Sequence, residues 1–413
     1  MKTLLLTATM LLCTLVSPAQ WVPRTSFPGT ARAKSTSFTL NNKIYVVGGV
    51  TNASIVLNDV WEYDIALGTW TQLSTFPGPE RYGAVSFVIG NKGYIATGGN
   101  DNGYLDDLWQ FDPATASWTQ KTGLPVGSAQ HEYQRREAYG FTIGNKGYLG
   151  GGDGFVFGAN STNNYAFYDL WEYDPGSNTW TQMADIPDFL GRNMSIGVAV
   201  GSKAYVGLGC DVGQTTNRTS FWEYDPVANS WTAKANFPAN ATTDGSAFVV
   251  GSDIYLVGGL NISTIALSNQ VYKFNTISNT WTALPAFNGG AIAGEAVGST
   301  GTAAFAGTGY NGSLVARNDW YEFTLPAGID EVEAGRFGVL AYPNPATTKI
   351  LLTSKERLTA QLFGVDGSLI YDNMELTPGR QFQLTVETLP AGVYILKLND
   401  SHSAEARKVI VSH

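Results

Sequence analysis

Four arginines recur in one register along the chain. Arg32, Arg81, Arg135 and Arg192 each stand 13 residues before a tyrosine, at Tyr45, Tyr94, Tyr148 and Tyr205. Arg136 adjoins the third of them and Glu137 follows. A guanidinium grips a planar anion through two parallel bonds, so four of them brought to one place would seat a carboxylate or an acidic sugar. Two further copies of the register hold Thr242 and Ile292 instead, which leaves such a ring incomplete. The same arginines suit a second role, bonding loop carbonyls and holding neighbouring units together. Their membership of the repeat itself favours that role. Arg32, Arg81, Arg135, Arg136, Arg192 and Glu137 are the candidate ligand-binding residues.

Other chemistry is thinly supplied. Between residue 20 and residue 325 the sole histidine is His131, too little for a zinc site or a Ser-His-Asp triad. Glu80 and Glu132 read as exposed loop carboxylates. Asn100-Asp101-Asn102 and Asp106-Asp107 lack the spacing of an EF-hand loop, and such residues serve turns by bonding their own backbone. Cys13 lies in the N-terminal apolar run, which leaves Cys210 alone, without a disulfide partner, as a small buried apolar residue. The sequence assigns no catalytic residue, no metal and no cofactor.

The arginines need elements to position them, and the repeats supply these. Trp70, Trp118, Trp180, Trp231 and Trp281 close five units. Seven residues before each stands an aromatic (Tyr63, Phe111, Tyr173, Tyr224, Phe274), and two residues earlier another (Trp61, Trp109, Trp171, Trp222, Tyr272). Spacing of two puts both rings on one face of a strand. Upstream, an aromatic is followed four residues later by glycine six times, from Tyr45/Gly49 to Phe305/Gly309. The period near 50 residues suits a unit of four strands, and a closed ring of such units buries faces that one unit cannot.

The string KIYVVGG…LNDVWEYD…TW from Lys43 to Trp70 resembles the kelch repeat, over roughly residues 20–325. The resemblance implies an all-β fold, a six-bladed kelch-type β-propeller. The sixth unit lacks its closing tryptophan, while WVPRTSFPG from Trp21 matches WTQLSTFPG from Trp70. The first mature strand is therefore expected to complete the last blade and leave no open edge. The long connections, Lys121–Glu137, Asp153–Tyr168 and Asp211–Ser220, fall on one face, where function concentrates. Related kelch proteins grip acidic ligands with arginines at this kind of position. Copper-radical oxidases on this fold need two histidines, which His131 alone cannot provide. Sialic-acid epimerases on this fold use Arg and Glu, so Arg135, Arg136 and Glu137 keep a sugar-acid epimerase or mutarotase open as the alternative.

The ends speak of export. Lys2, the apolar run Leu4–Val16 and Ser17-Pro18-Ala19 form a secretory signal, residues 1–19. Residues 326–334 read as a linker, and 335–413 as short alternating strands of a small C-terminal β-sandwich. Three landmarks there resemble the type A sorting domain of the type IX secretion system of Bacteroidota. They are YPNPA with Pro343, Asn344 and Pro345; LPAGVYILKL with Gly392 and Tyr394; and a basic ending at Lys408. The resemblance implies the type IX machinery as partner and a secreted or outer-membrane-surface protein. A net charge of −9 argues against nucleic acid as a partner. The expectation is a monomeric binding or scaffold protein that presents its loop face to an extracellular glycan, peptide or protein.

Overall fold

The computed structural model describes residues 20–411 apart from 126–133, 156–163, 189–190, 212, 214–215, 240–241, 325–336, 338, 343–345, 347, 365–366, 391 and 401–403. The signal at 1–19, His131, Glu132, the linker 326–334 and Pro343–Pro345 lie outside the described residues.

Alternating apolar residues make each repeat an antiparallel meander. Blade one runs Thr36–Leu40, Lys43–Thr51, Val56–Asp64 and Thr69–Gln72. The second strands are buried along most of their length, whereas the outermost strands are largely exposed. Six sheets of this kind occur among the described residues, five of four strands and that of blade one with Arg32–Ala33 as a short fifth. The innermost strands of the other five are Val85–Ile89, Tyr139–Ile143, Ile196–Val200, Ser246–Val250 and Ala296–Ser299. In the sixth sheet the outermost strand is Gln20–Pro23, paired with Trp320–Thr324 in the register Trp21↔Phe323. The matching nonapeptides thus mark the same structural position in two blades.

Aromatic rings fill the space between blades. Phe27 meets Trp61 and Trp70 edge-on, as Phe76 meets Trp109 and Trp118 one blade later. Edge-to-face packing suits rings with negative faces and positive rims. Backbone bonds then tie each blade to the next. The amides of Gly49, Gly98, Gly152, Gly209, Gly259 and Gly309 donate to the carbonyls of Arg81, Arg135, Arg192, Thr242, Ile292 and Arg32. The last bond, from blade six to blade one, closes the circle.

Residues Ala19–Thr324 form one compact unit, and the chain from Leu325 belongs to another. That second unit holds a three-stranded sheet (Leu340–Tyr342, Lys349–Thr353, Gln381–Thr385). It also holds a four-stranded one (Leu369–Leu376, Leu358–Gly364, Gly392–Asn399, Ala404–Val411). Ile350, Leu352, Leu362, Leu396 and Val409 share its core.

Candidate functional site

The four arginines of the repeat register are not a free guanidinium ring. Each is buried and already paired inside its own blade. Arg81 takes both oxygens of Asp107 at 2.7 Å, the Thr97 carbonyl at 2.9 Å and the ring of Phe76 at 4.7 Å. Arg135 does the same with Asp169, the Gly151 carbonyl and Phe167. Arg32 does so with Asp59, the Gly48 carbonyl and Phe27. Burial would raise the Asp59 carboxyl, but the bonds and charge of Arg32 hold it below the usual range. The indole of the Trp two residues on, Trp61, Trp109 or Trp171, donates to the same carboxylate.

The exceptions explain themselves. In blade four Ser220 stands where the aspartate should be, and Arg192 pairs instead with Asp188 at 2.6 Å. Trp222, deprived of that aspartate, has a buried indole N–H without a partner among the described residues. Blade five has Thr242 and Gln270, neither arginine nor aspartate. Blade six lacks the arginine at Ile292 yet keeps Asp319, and Arg317 arrives from the other side. It pairs with Asp319, donates to the Gly289 carbonyl at 2.8 Å and lies over Phe287. The geometry supports the structural role of the series, each guanidinium having an internal carboxylate partner. Arg317 escaped the sequence reading because it lies outside the register; the unpartnered Asp319, two residues before Tyr321, was the available signal.

A different cluster occupies the loop-face mouth of the central channel. Two residues after each register position, one residue per blade forms a closed ring of six backbone hydrogen bonds. Lys34 donates to Gly294, Gly294 to Asp244, Asp244 to Met194, Met194 to Glu137, Glu137 to Gly83, and Gly83 to Lys34, at 2.7–3.0 Å. All six have positive φ, from 50° to 62°. Four of them bear side chains in a region that favours glycine, a strain that persists where the surroundings impose it. The two glycines flank Lys34. A Cβ on Gly83 would lie 2.8 Å from Glu137, and one on Gly294 would lie 3.2 Å from Lys34. Over these gaps the Lys34 ammonium reaches Glu137 at 2.6 Å and Asp244 at 3.6 Å. Blades one, three and five are thus tied across the axis.

Around this floor stand Arg136, Tyr82, Tyr104 and Tyr310. Arg136 pairs with the buried Asp153 at 3.3 Å, bonds the Tyr82 hydroxyl and lies over the rings of Tyr82 and Tyr104. Tyr104 donates to Asp153 at 3.0 Å. Tyr82 and Tyr310 are partly exposed. Below the ring, the channel is a cavity of about 170 Å³ lined by small residues, Ser35, Ala84, Ala138, Ser195 and Gly245 among them. Cys210 is buried with its thiol 2.8 Å from Asn193 Oδ1, and burial pushes its pKa up to about 11, which disfavours the thiolate. Among the described residues no group of three or more His, Cys, Asp or Glu side chains is placed to hold a metal.

Three charged groups here are held away from their ordinary equilibria. Burial would lower Lys34, but Asp244 and Glu137 raise it. Burial, aided by Glu137, raises Asp244 despite Lys34. Burial pushes Glu295, 5% exposed, up to about 8, with the charge of Asp244 adding; one oxygen accepts from the Ser246 amide and the other has no partner among the described residues. A carboxyl raised on folding keeps its proton in the native state while the unfolded chain has lost it. Its contribution is full below about pH 4.5 and declines as pH rises to about 8. Glu295→Gln copies the protonated form. It should flatten the fall in melting temperature between pH 5.5 and 8.5, and stabilise the protein at pH 8.5 by on the order of 3 kcal/mol. Parallel wild-type and variant curves across that window would refute the assignment.

In the C-terminal unit, Gly392 opens a strand, and the buried Tyr394 donates from its hydroxyl to the Pro390 carbonyl at 2.8 Å. Lys408 lies in the last strand, opposite Ile395.

Comparison with known proteins agrees with the fold. A KLHDC2/KLHL20/DRC7 kelch-repeats domain profile matches residues 14–193, and a kelch motif matches 241–288. A secretion system C-terminal sorting domain matches 340–412. No curated protein matches the chain in sequence. A solved structure titled "Structure of YjhT" is similar in fold, with a TM-score of 0.61 at 17% identity, covering 73% of this chain and 97% of that one. Fold and repeats together define a kelch β-propeller. The chain joins that propeller to a type IX sorting domain, which engages the secretion machinery and directs export to the cell surface or beyond.

Proposed function

We propose that the exported propeller is a binding protein whose ligand seat is the loop-face mouth. The observation that carries this reading is the gathering of Lys34, Arg136, Glu137, Asp153 and Asp244 with Tyr82, Tyr104 and Tyr310 around one axial opening. The bound partner is a glycan, peptide or protein outside the cell. The test is an array of glycans and peptides probed with the full mature chain and with Tyr82→Ala and Tyr310→Ala. Loss of a wild-type signal in these variants, at unchanged melting temperature, supports the mouth. A signal that both variants keep puts the seat elsewhere.

One observation favours catalysis as a second reading: Asp244 and Glu295 are neighbouring carboxyls, both raised by burial. Such groups suit proton transfer in a mutarotase or epimerase. In the Arg135–Glu137 constellation, Arg135 is bound to Asp169 and Glu137 to Lys34. Accelerated anomer exchange of a sugar, lost in Asp244→Asn, would establish that reading.

A further inference from the structure

Every arginine that could receive an anion on this face carries an internal carboxylate. Arg32 has Asp59, Arg81 has Asp107 and Arg135 has Asp169. Arg136 has Asp153, Arg192 and Arg218 share Asp188, and Arg317 has Asp319. Lys34 lies between two carboxylates. At the mouth itself Glu137, Asp153 and Asp244 face only Lys34 and Arg136, so carboxylates outnumber cations. An incoming anion would meet repulsion at short range, with no unpaired Lys or Arg among the described residues of the mouth to offset it. Carboxylates do accept bonds from hydroxyl groups, and such charge-assisted bonds are the stronger kind.

The walls point the same way. Gly99 lets three side chains close together; a Cβ there would lie 3.2 Å from Arg136, 3.3 Å from Tyr104 and 3.5 Å from Tyr82. Across the opening, the phenol of Tyr310 feels the charges of Lys34, Asp244 and Glu137, and burial raises its pKa first of all. Its hydroxyl makes no hydrogen bond with the described residues. Rings beside a floor of hydrogen-bond acceptors match a sugar, whose C–H faces lie on aromatics while its hydroxyls point to carboxylates.

We infer that the ligand of the loop-face mouth is a hydroxyl-rich saccharide without acidic groups, held by the Glu137–Lys34–Asp244 floor and the tyrosine rim. This rests on the reading of the mouth as a binding seat and names its ligand class. It reverses the expectation drawn from the arginine register.

The experiment titrates the full mature chain with matched oligosaccharides: neutral hexose, amino-sugar, and uronic- or sialic-acid forms of one length. Neutral or amino forms should bind, and acidic ones about tenfold more weakly at 0.1 M salt, a gap that narrows at 1 M salt as screening shortens. Tyr310→Phe, which removes one hydroxyl, should weaken the neutral ligand about fivefold at unchanged melting temperature. Glu137→Gln should narrow the gap between acidic and neutral forms. Preference for acidic sugars, or indifference to Tyr310→Phe, overturns the saccharide class while leaving a binding seat in place. Binding of peptides alone does the same. No binding from either array overturns both readings.

Discussion

A mature chain that begins at Gly29, lacking residues 20–28, is expected to lose the folded ring. The missing segment supplies the outer strand of blade six and two buried rings. Trp21, 3% exposed, packs on Phe248, Phe287 and Phe323 with centroids 4.9–5.9 Å away. Phe27, fully buried, packs on Trp61 and Trp70 and lies under Arg32. Removing a buried aromatic costs about 3–5 kcal/mol, so two of them approach the whole stability of a typical domain, about 5–15 kcal/mol. The deletion also strips Trp320–Thr324 of its neighbour and exposes a hydrogen-bonding edge. It further removes the Arg24–Glu322 pair and the amide of Phe27 that bonds the Asn318 carbonyl at 2.7 Å. Size-exclusion chromatography and a thermal melt decide the matter. A monomer with the wild-type melting temperature would show that the ring does not depend on this closure.

Arg81→Gln should destabilise the protein by about 3–5 kcal/mol, the cost of leaving one partner of a buried ion pair alone. Asp107 would be left with the Trp109 indole and no cation, and the Thr97 carbonyl would lose its donor. Lysine would not rescue the site, because a single ammonium cannot form the two parallel bonds of the fork. Arg192→Gln should cost less. Its aspartate, Asp188, keeps Arg218 at 2.9 Å, so a cation remains in place. The measurement is the denaturant midpoint of each variant. If Arg81→Gln matched the wild type, the structural role assigned to the register would fall, and the anion seat would return.

These expectations show how far the register could be read before the fold was known. The same spacing that located the four arginines also located Asp59, Asp107 and Asp169, each two residues before a tryptophan. Compared blade by blade, arginine and aspartate are present together in blades one to three and absent together in blade five. A replacement stands in for the missing partner in blades four and six. That joint presence and absence in the sequence points to internal ion pairs. Arg317 and Asp188 lie only two and four residues from Asp319 and Arg192, but outside the register that aligns the other pairs. In the C-terminal region, apolar alternation runs through Lys349–Thr353, Leu358–Gly364, Gln381–Thr385 and Gly392–Asn399, all of them strands. Leu340–Tyr342 is too short to show the pattern, and charged and polar residues interrupt it in Leu369–Leu376 and Ala404–Val411.

By itself the sequence determined the repeat, its period, the N-terminal strand that completes the last blade, and the export tail. All of these follow from local patterns: ring spacing, glycine placement and strand alternation are set by residues near one another in the chain. Only the tertiary structure decided what the charged groups do. Lys34, Glu137 and Asp244 are 103 and 107 residues apart in turn, with nothing in their neighbourhoods to pair them. Closure of the ring brings one residue of each blade to the axis in a left-handed conformation, and glycines at 83 and 294 open the space between. An ion pair depends on distance and burial, and in a closed ring both are fixed by residues remote in sequence.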